Sequence, residues 1–185
     1  MWKIIGGFLG GIVFTGVLAF NFMGDLMFNE TVSPFGMEET IARIQHNIQG
    51  LTKEKGWTLS GLRNPGRAVQ ADGGNTLPVM MVEACSTKYS KPILNDDKVR
   101  FLSILMPCKV SVYKKSDGKV YIATMNAGLM GKMFGSTVSE VMGYVAEDQK
   151  KFLAFDPSQP APPMIVPSAG GGSAGGSGSG AGGGC

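Results

Sequence analysis

The longest apolar run of the chain comes first: residues 4–23, IIGGFLGGIVFTGVLAFNFM, carry no charge. That is about the length of one helical crossing of a hydrocarbon core of roughly 30 Å, and it predicts one N-terminal transmembrane helix. Lys3 precedes the run and Asp25 and Glu30 follow it, so the positive-inside bias orients the N-terminus to the cytoplasm and sends the rest of the chain outside. Val17, Leu18 and Ala19 also offer the small-residue pattern of a signal-peptide cleavage site. The apolar run continues past them through Phe20, Phe22 and Met23, which favours an uncleaved anchor, and either reading exports the domain. The localisation expected is the inner membrane, single-pass, with the globular domain extracytoplasmic, that is, periplasmic.

Beyond the anchor the pattern changes to short runs with strand or helix periodicity. Residues 28–33, FNETVS, read as a strand ended by Pro34. In residues 38–55, Ile41, Ile44, Ile48 and Leu51 fall at helical spacing, with Glu38 and Glu39 at the positive end and Gly56 after the last turn. That spacing predicts a helix with one packed face and one wet face, and places His46 on the wet one. Residues 57–62, WTLSGL, alternate as a strand, and residues 63–77, rich in Asn, Pro and Gly, read as a surface loop. VMMVEA at 79–84 predicts a buried strand that delivers Cys85, and a short helix follows over 87–94. Strands at 108–113 and 120–125 bracket KKSDGK, whose Asp117-Gly118 is a hairpin signal. Leu129, Met133, Val138, Val141, Met142, Val145, Phe152 and Leu153 then predict one or two helices over 129–155, with Gly135 and Gly143 as breaks. The order gives an α+β class: a mainly antiparallel sheet with helices on one face.

Composition sharpens the ends. Of 28 glycines, six lie in residues 1–24 and ten in residues 168–185. The first group includes Gly6, Gly7, Gly10 and Gly11, two overlapping Gly-xxx-Gly pairs that would let two membrane helices pack closely, although glycine is common in membrane helices generally. The second belongs to SAGGGSAGGSGSGAGGGC, which predicts a flexible coil ending in Cys185. Five of the ten prolines fall in residues 157–167 and predict a stiffer spacer. Four parts result: a transmembrane anchor at 1–27, a globular domain at 28–156, a Pro-rich spacer at 157–167 and a Gly/Ser/Ala arm at 168–185. The formal net charge of +3 excludes a strongly basic nucleic-acid binder. The twelve methionines lie mostly within apolar runs, which favours core packing over copper ligation.

The chemistry rests on three cysteines. Cys85 ends one expected strand and Cys108 begins the next; a structural disulfide, an active thiol pair and two buried free thiols all fit this placement. Two cysteines and one distant histidine do not make a four-ligand zinc set, so no metal or cofactor is expected. Cys185 differs in kind, because a random coil of the last 18 residues has a root-mean-square reach of about 23 Å and delivers its thiol at a distance from the domain.

EETIARIQ, KGWTL, VEAC, MPCKVSVY, DGKVYIATMN and LMGKMFG followed by EVM together resemble the domain of unknown function 302 family over residues 28–155, in particular a branch with cysteines at the positions of Cys85 and Cys108. The resemblance implies an α+β domain, often dimeric, and supplies no catalytic residue. The C-terminal arm is similar to the swinging arm of the Sox sulfur-carrier subunit, which bears substrate on a cysteine near its end; that arm has two glycines after its cysteine, whereas Cys185 is last.

These readings lead to a membrane-anchored, extracytoplasmic thiol carrier or redox protein in inorganic sulfur metabolism. Cys185 would carry the sulfur, the folded domain would supply docking or a Cys85–Cys108 dithiol/disulfide couple, and no independent catalytic activity is expected. The partners expected are the lipid bilayer, a second copy of the chain and sulfur-oxidising enzymes, with nucleic acid excluded. The other reading is a non-catalytic, membrane-anchored structural or binding module that dimerises. The lone Cys185 separates the two, because a carrier needs this thiol free for part of its cycle.

Overall fold

In the computed structural model, residues 24–165 are described. Five strands, β1 (Phe28–Val32), β2 (Trp57–Arg63), β3 (Val79–Ser86), β4 (Cys108–Lys114) and β5 (Val120–Met125), form one sheet in the order β1-β5-β4-β3-β2. Every neighbouring pair is antiparallel, and the β4–β5 pair is joined by a short hairpin. The β4–β5 hairpin closes where expected: Gly118 takes a φ of 78°, donates to Lys115 O, and follows Asp117, whose side chain accepts from the Lys119 amide.

Helix α1 (Met37–Gly50) lies on β2, β3 and β4, a short α2 (Thr52–Lys55) follows it, and the long C-terminal α6 (Ser136–Phe152) packs against α1. Between them in the chain come α3 (Pro65–Ala71), α4 (Thr87–Leu94), a 3₁₀ run (Arg100–Leu105) and α5 (Ala127–Gly131). Val82, Ala84, Val110, Val112 and Ile122 are buried in the core, while the alternating Met81, Ser111, Tyr113 and Tyr121 are only half-buried. The core therefore sits on one side of the sheet, with Ile41, Ile44, Ile48, Trp57 and Phe152 at its centre.

Three expectations are corrected. The first is the transmembrane helix of the expected fold class: no helix among the described residues is long and apolar enough to cross a membrane. Residues 1–23, including Gly6, Gly7, Gly10 and Gly11, lie outside the described residues. The described architecture is an α+β sheet domain alone. Second, residues 63–77 are not all loop, because Asn64 caps α3 by accepting from the Arg67 amide at 2.8 Å and Pro65 occupies its first turn.

Third, the far side of α1 is not wet. Arg43 is 6% exposed and Gln45 0%, since the Pro-rich segment folds back over them. Arg43 donates to Asp156 O at 2.9 Å and to Gln159 O at 2.8 Å. Gln45 makes a two-bond amide clamp with Ile165, donating to its carbonyl at 2.6 Å and accepting from its N–H at 2.9 Å. Through Ile165 the expected spacer is thus a strap on the domain, while His46 remains exposed as read.

A candidate sulfur-lined site

Cys85 is the penultimate residue of β3, and the chain turns directly after it into α4. Ser86 enforces that turn: its Oγ accepts from the Tyr89 amide as the helix cap and donates to Lys55 O at 2.7 Å. One turn into α4, Ser90 Oγ donates to Ser86 O at 2.9 Å and lies 3.5 Å from Cys85 Sγ. Cys85 is 4% exposed and disulfide-bonded, so it carries no titrating thiol.

Cys108 opens β4 immediately after a cis Met106–Pro107 peptide. The ladder sets Ala84 opposite Cys108, which leaves the two cysteines one residue out of step. Cys108 is a free thiol, and the structure thereby decides against a Cys85–Cys108 disulfide. Burial pushes its pKa up to about 11, with Lys109 opposing the shift only in part. Such a thiol stays protonated at neutral pH and is a poor nucleophile.

Both cysteines border one apolar cavity of about 50 Å³, walled by α4, the 3₁₀ run, α5 and α6. Met106, Met125, Met130 and Met142 line it too, so six sulfur-bearing side chains surround a space sized for a few atoms. Cys108 also borders an open groove with Phe28, Ile104 and Pro107. It stands between the inner cavity and the surface.

The wall of the cavity is held by a buried polar network. Asp148, 2% exposed, accepts from Trp57 Nε1 and from Tyr89 Oη, both at 2.9 Å, and Lys151 Nζ lies 3.4 Å from its other oxygen. Burial first, and the bond to Asp148 second, raise the Tyr89 phenol well above its ordinary pKa. Trp57 meets Phe152 edge-on at 5.0 Å and Tyr89 at 5.8 Å, and Tyr89 stacks on Tyr144. This network fixes the cavity's shape rather than presenting a reactive group.

Of the residues singled out from the sequence, Cys85 and Cys108 come together at one cavity, whereas Cys185 lies outside the described residues. Trp57, Tyr89, Ser90 and Asp148 were not singled out. Asp148 had a signal: it shares the helical stripe of Val141, Val145 and Phe152, where a carboxylate needs buried donors. No group of three or more His, Cys, Asp or Glu among the described residues is arranged to hold a metal ion.

The sequence profile described as "Domain of unknown function DUF302" matches residues 29–155. The chain belongs to the DUF302 family. Among solved structures, it is similar to that of an uncharacterized conserved DUF302 protein from Bacillus stearothermophilus, with 21% identity and a TM-score of 0.58 over 69% of this chain and 95% of that one. That likeness extends the DUF302 fold to this sheet and its helices. No curated protein matches the chain.

Proposed function

We propose that this DUF302 protein handles sulfane sulfur in an oxidising, extracytoplasmic compartment, with Cys185 as the carrying thiol and the Cys85/Cys108 cavity as the domain's contribution. The observation behind it is the cavity itself: a disulfide-bonded cysteine, a free, partly buried thiol and four thioethers around one small apolar space. Soft, polarizable sulfur groups make favourable contacts with such a lining. The Cys85 disulfide fits an oxidising compartment, since cytosolic thiols are held reduced. Cys108, protonated and desolvated, suits contact with a neutral sulfur group better than attack on one, and this leaves the nucleophilic role to Cys185.

The chemistry conserves electrons. A Cys185 thiolate attacks the outer sulfur of thiosulfate; a new S–S bond forms, the bond to the sulfonate sulfur breaks, and sulfite leaves with the electron pair of that bond. The product is a Cys185 persulfide, which passes its outer sulfur to an acceptor thiolate by the same displacement and regenerates the Cys185 thiolate. The test is mass spectrometry of the reduced full chain after thiosulfate, with peptide mapping. A single added sulfur on the peptide 152–185, absent from Cys185→Ser, supports the reading, and no adduct on that peptide defeats it.

A further inference from the structure

The cavity bordered by Cys85 and Cys108 offers a guest apolar contact and sulfur, and no charge. We infer that it binds a neutral, weakly hydrogen-bonding sulfur compound of about three heavy atoms or fewer, of the class of un-ionised hydrogen sulfide and methyl thioethers, and rejects anions. The sulfur character of this guest rests on the reading above, whereas its size, neutrality and route of entry rest on the cavity alone.

Size sets the first limit. The cavity measures about 50 Å³, against roughly 10–15 Å³ for one water, so it admits a few atoms at most. Polarity sets the second. Trp57 Nε1 and Tyr89 Oη both donate to Asp148, Ser86 Oγ donates to Lys55 O, and Ser90 Oγ donates to Ser86 O. Every side-chain N–H and O–H among the described residues of the lining is thereby committed to a protein acceptor, and a water inside would lack the polar partners it needs. Charge sets the third. The described lining includes no lysine, arginine, histidine or carboxylate, and Asp148 is not part of it. An anion would shed its hydration there with nothing to replace it. What remains favourable is dispersion contact with the thioethers of Met106, Met125, Met130 and Met142, which is strongest for a polarizable atom such as sulfur.

The route in is short. Leu105, Cys108 and Met125 border both the cavity and the outer groove, so the wall between the two is one side chain thick. On the outer side, Phe28 is 59% exposed and Ile104 81%, which gives an apolar guest a surface to partition onto before it enters. Leu105 ends the 3₁₀ run and Met125 ends β5; a flexible methionine side chain turns aside there without moving a strand.

Nuclear magnetic resonance of the full chain, isotope-labelled at the methionine methyls, decides this. Xenon and dimethyl sulfide are the probes, with dimethyl sulfoxide as the polar control and thiocyanate as the soft anion. Both probes should shift Met106, Met125, Met130 and Met142 saturably and leave the exposed Met133 and Met164 without a saturable shift; neither control should saturate. Val141→Phe, which fills the cavity from α6, should weaken dimethyl sulfide binding about tenfold or more. Val145→Ile adds only a methyl group at the same wall and should weaken it about threefold, and Leu105→Ala should speed guest exchange. No saturable shift, equal saturation by either control, or unchanged affinity in both filled variants overturns the site. Saturation by xenon without dimethyl sulfide overturns the sulfur guest, and unchanged exchange in Leu105→Ala overturns the route. If dimethyl sulfide saturates the four methyls and thiosulfate adds no sulfur to Cys185, the guest site stands while the carrier reading fails. If sulfur is added and no methyl shifts, the reverse holds.

Discussion

Ala84 stands directly opposite Cys108 in the β3–β4 ladder, and Cys85, one residue on, is therefore out of step with it. Cys108 is a free thiol, and burial raises its pKa to about 11. Against an ordinary thiol near 9, the thiolate fraction at neutral pH falls about 100-fold. Alkylation of Cys108 should slow by about that factor in the native chain and recover its ordinary rate in denaturant. Native and unfolded rates that agree within a factor of two would show that the thiol is not desolvated.

The same shift makes stability depend on pH in a stated direction. Cys108 loses its proton near pH 9 when unfolded and only near 11 when folded, so between these values the unfolded state binds fewer protons and stability falls as pH rises. Relative to Cys108→Ala, the wild type should lose about 2 kcal/mol over that window in urea titrations. Parallel curves for the two proteins would contradict it.

Asp148→Ala removes the acceptor for both Trp57 Nε1 and Tyr89 Oη. Two buried donors left without partners cost about 2–5 kcal/mol. Denaturant unfolding should show that loss, and the Trp57 emission should change as the indole loses its bond. A cost below about 0.5 kcal/mol would mean that water replaces the carboxylate at no penalty.

Gln45→Ala breaks the clamp on Ile165 without touching the sheet. The strap should then open more often, with cleavage within residues 156–165 by a nonspecific protease rising about tenfold for a loss near 1.4 kcal/mol. Cleavage at the wild-type rate would show that Arg43, which holds Asp156 and Gln159, suffices alone.

How much of this was legible depended on where each partner lies in the chain. The strands, the Asp117-Gly118 hairpin and α4 (Thr87–Leu94) follow from local periodicity and turn chemistry, and their order alone gives an antiparallel α+β sheet. α3 was hidden because Asn64 and Pro65 were read as turn residues, although the same two begin helices. Burial of Arg43 and Gln45 could not be read locally: what covers them, Asp156 to Ile165, lies more than 100 residues away. The cysteines were legible as a pair at one end of the sheet, but the pairing of Ala84 rather than Cys85 with Cys108 depends on the β3–β4 register, which local sequence does not state. Of the methionines read as packing residues, Met130 and Met142 are buried in the core, and with Met106 and Met125 they line the cavity, whereas Met133 is 60% exposed.

The most direct test of the central claim is the intact mass of the reduced full chain before and after exposure to thiosulfate, with its remaining thiols alkylated only afterwards. The account predicts one added sulfur per chain on Cys185, retained in Cys108→Ser and lost in Cys185→Ser. An unmodified Cys185, or a sulfur adduct that persists in Cys185→Ser, would contradict it.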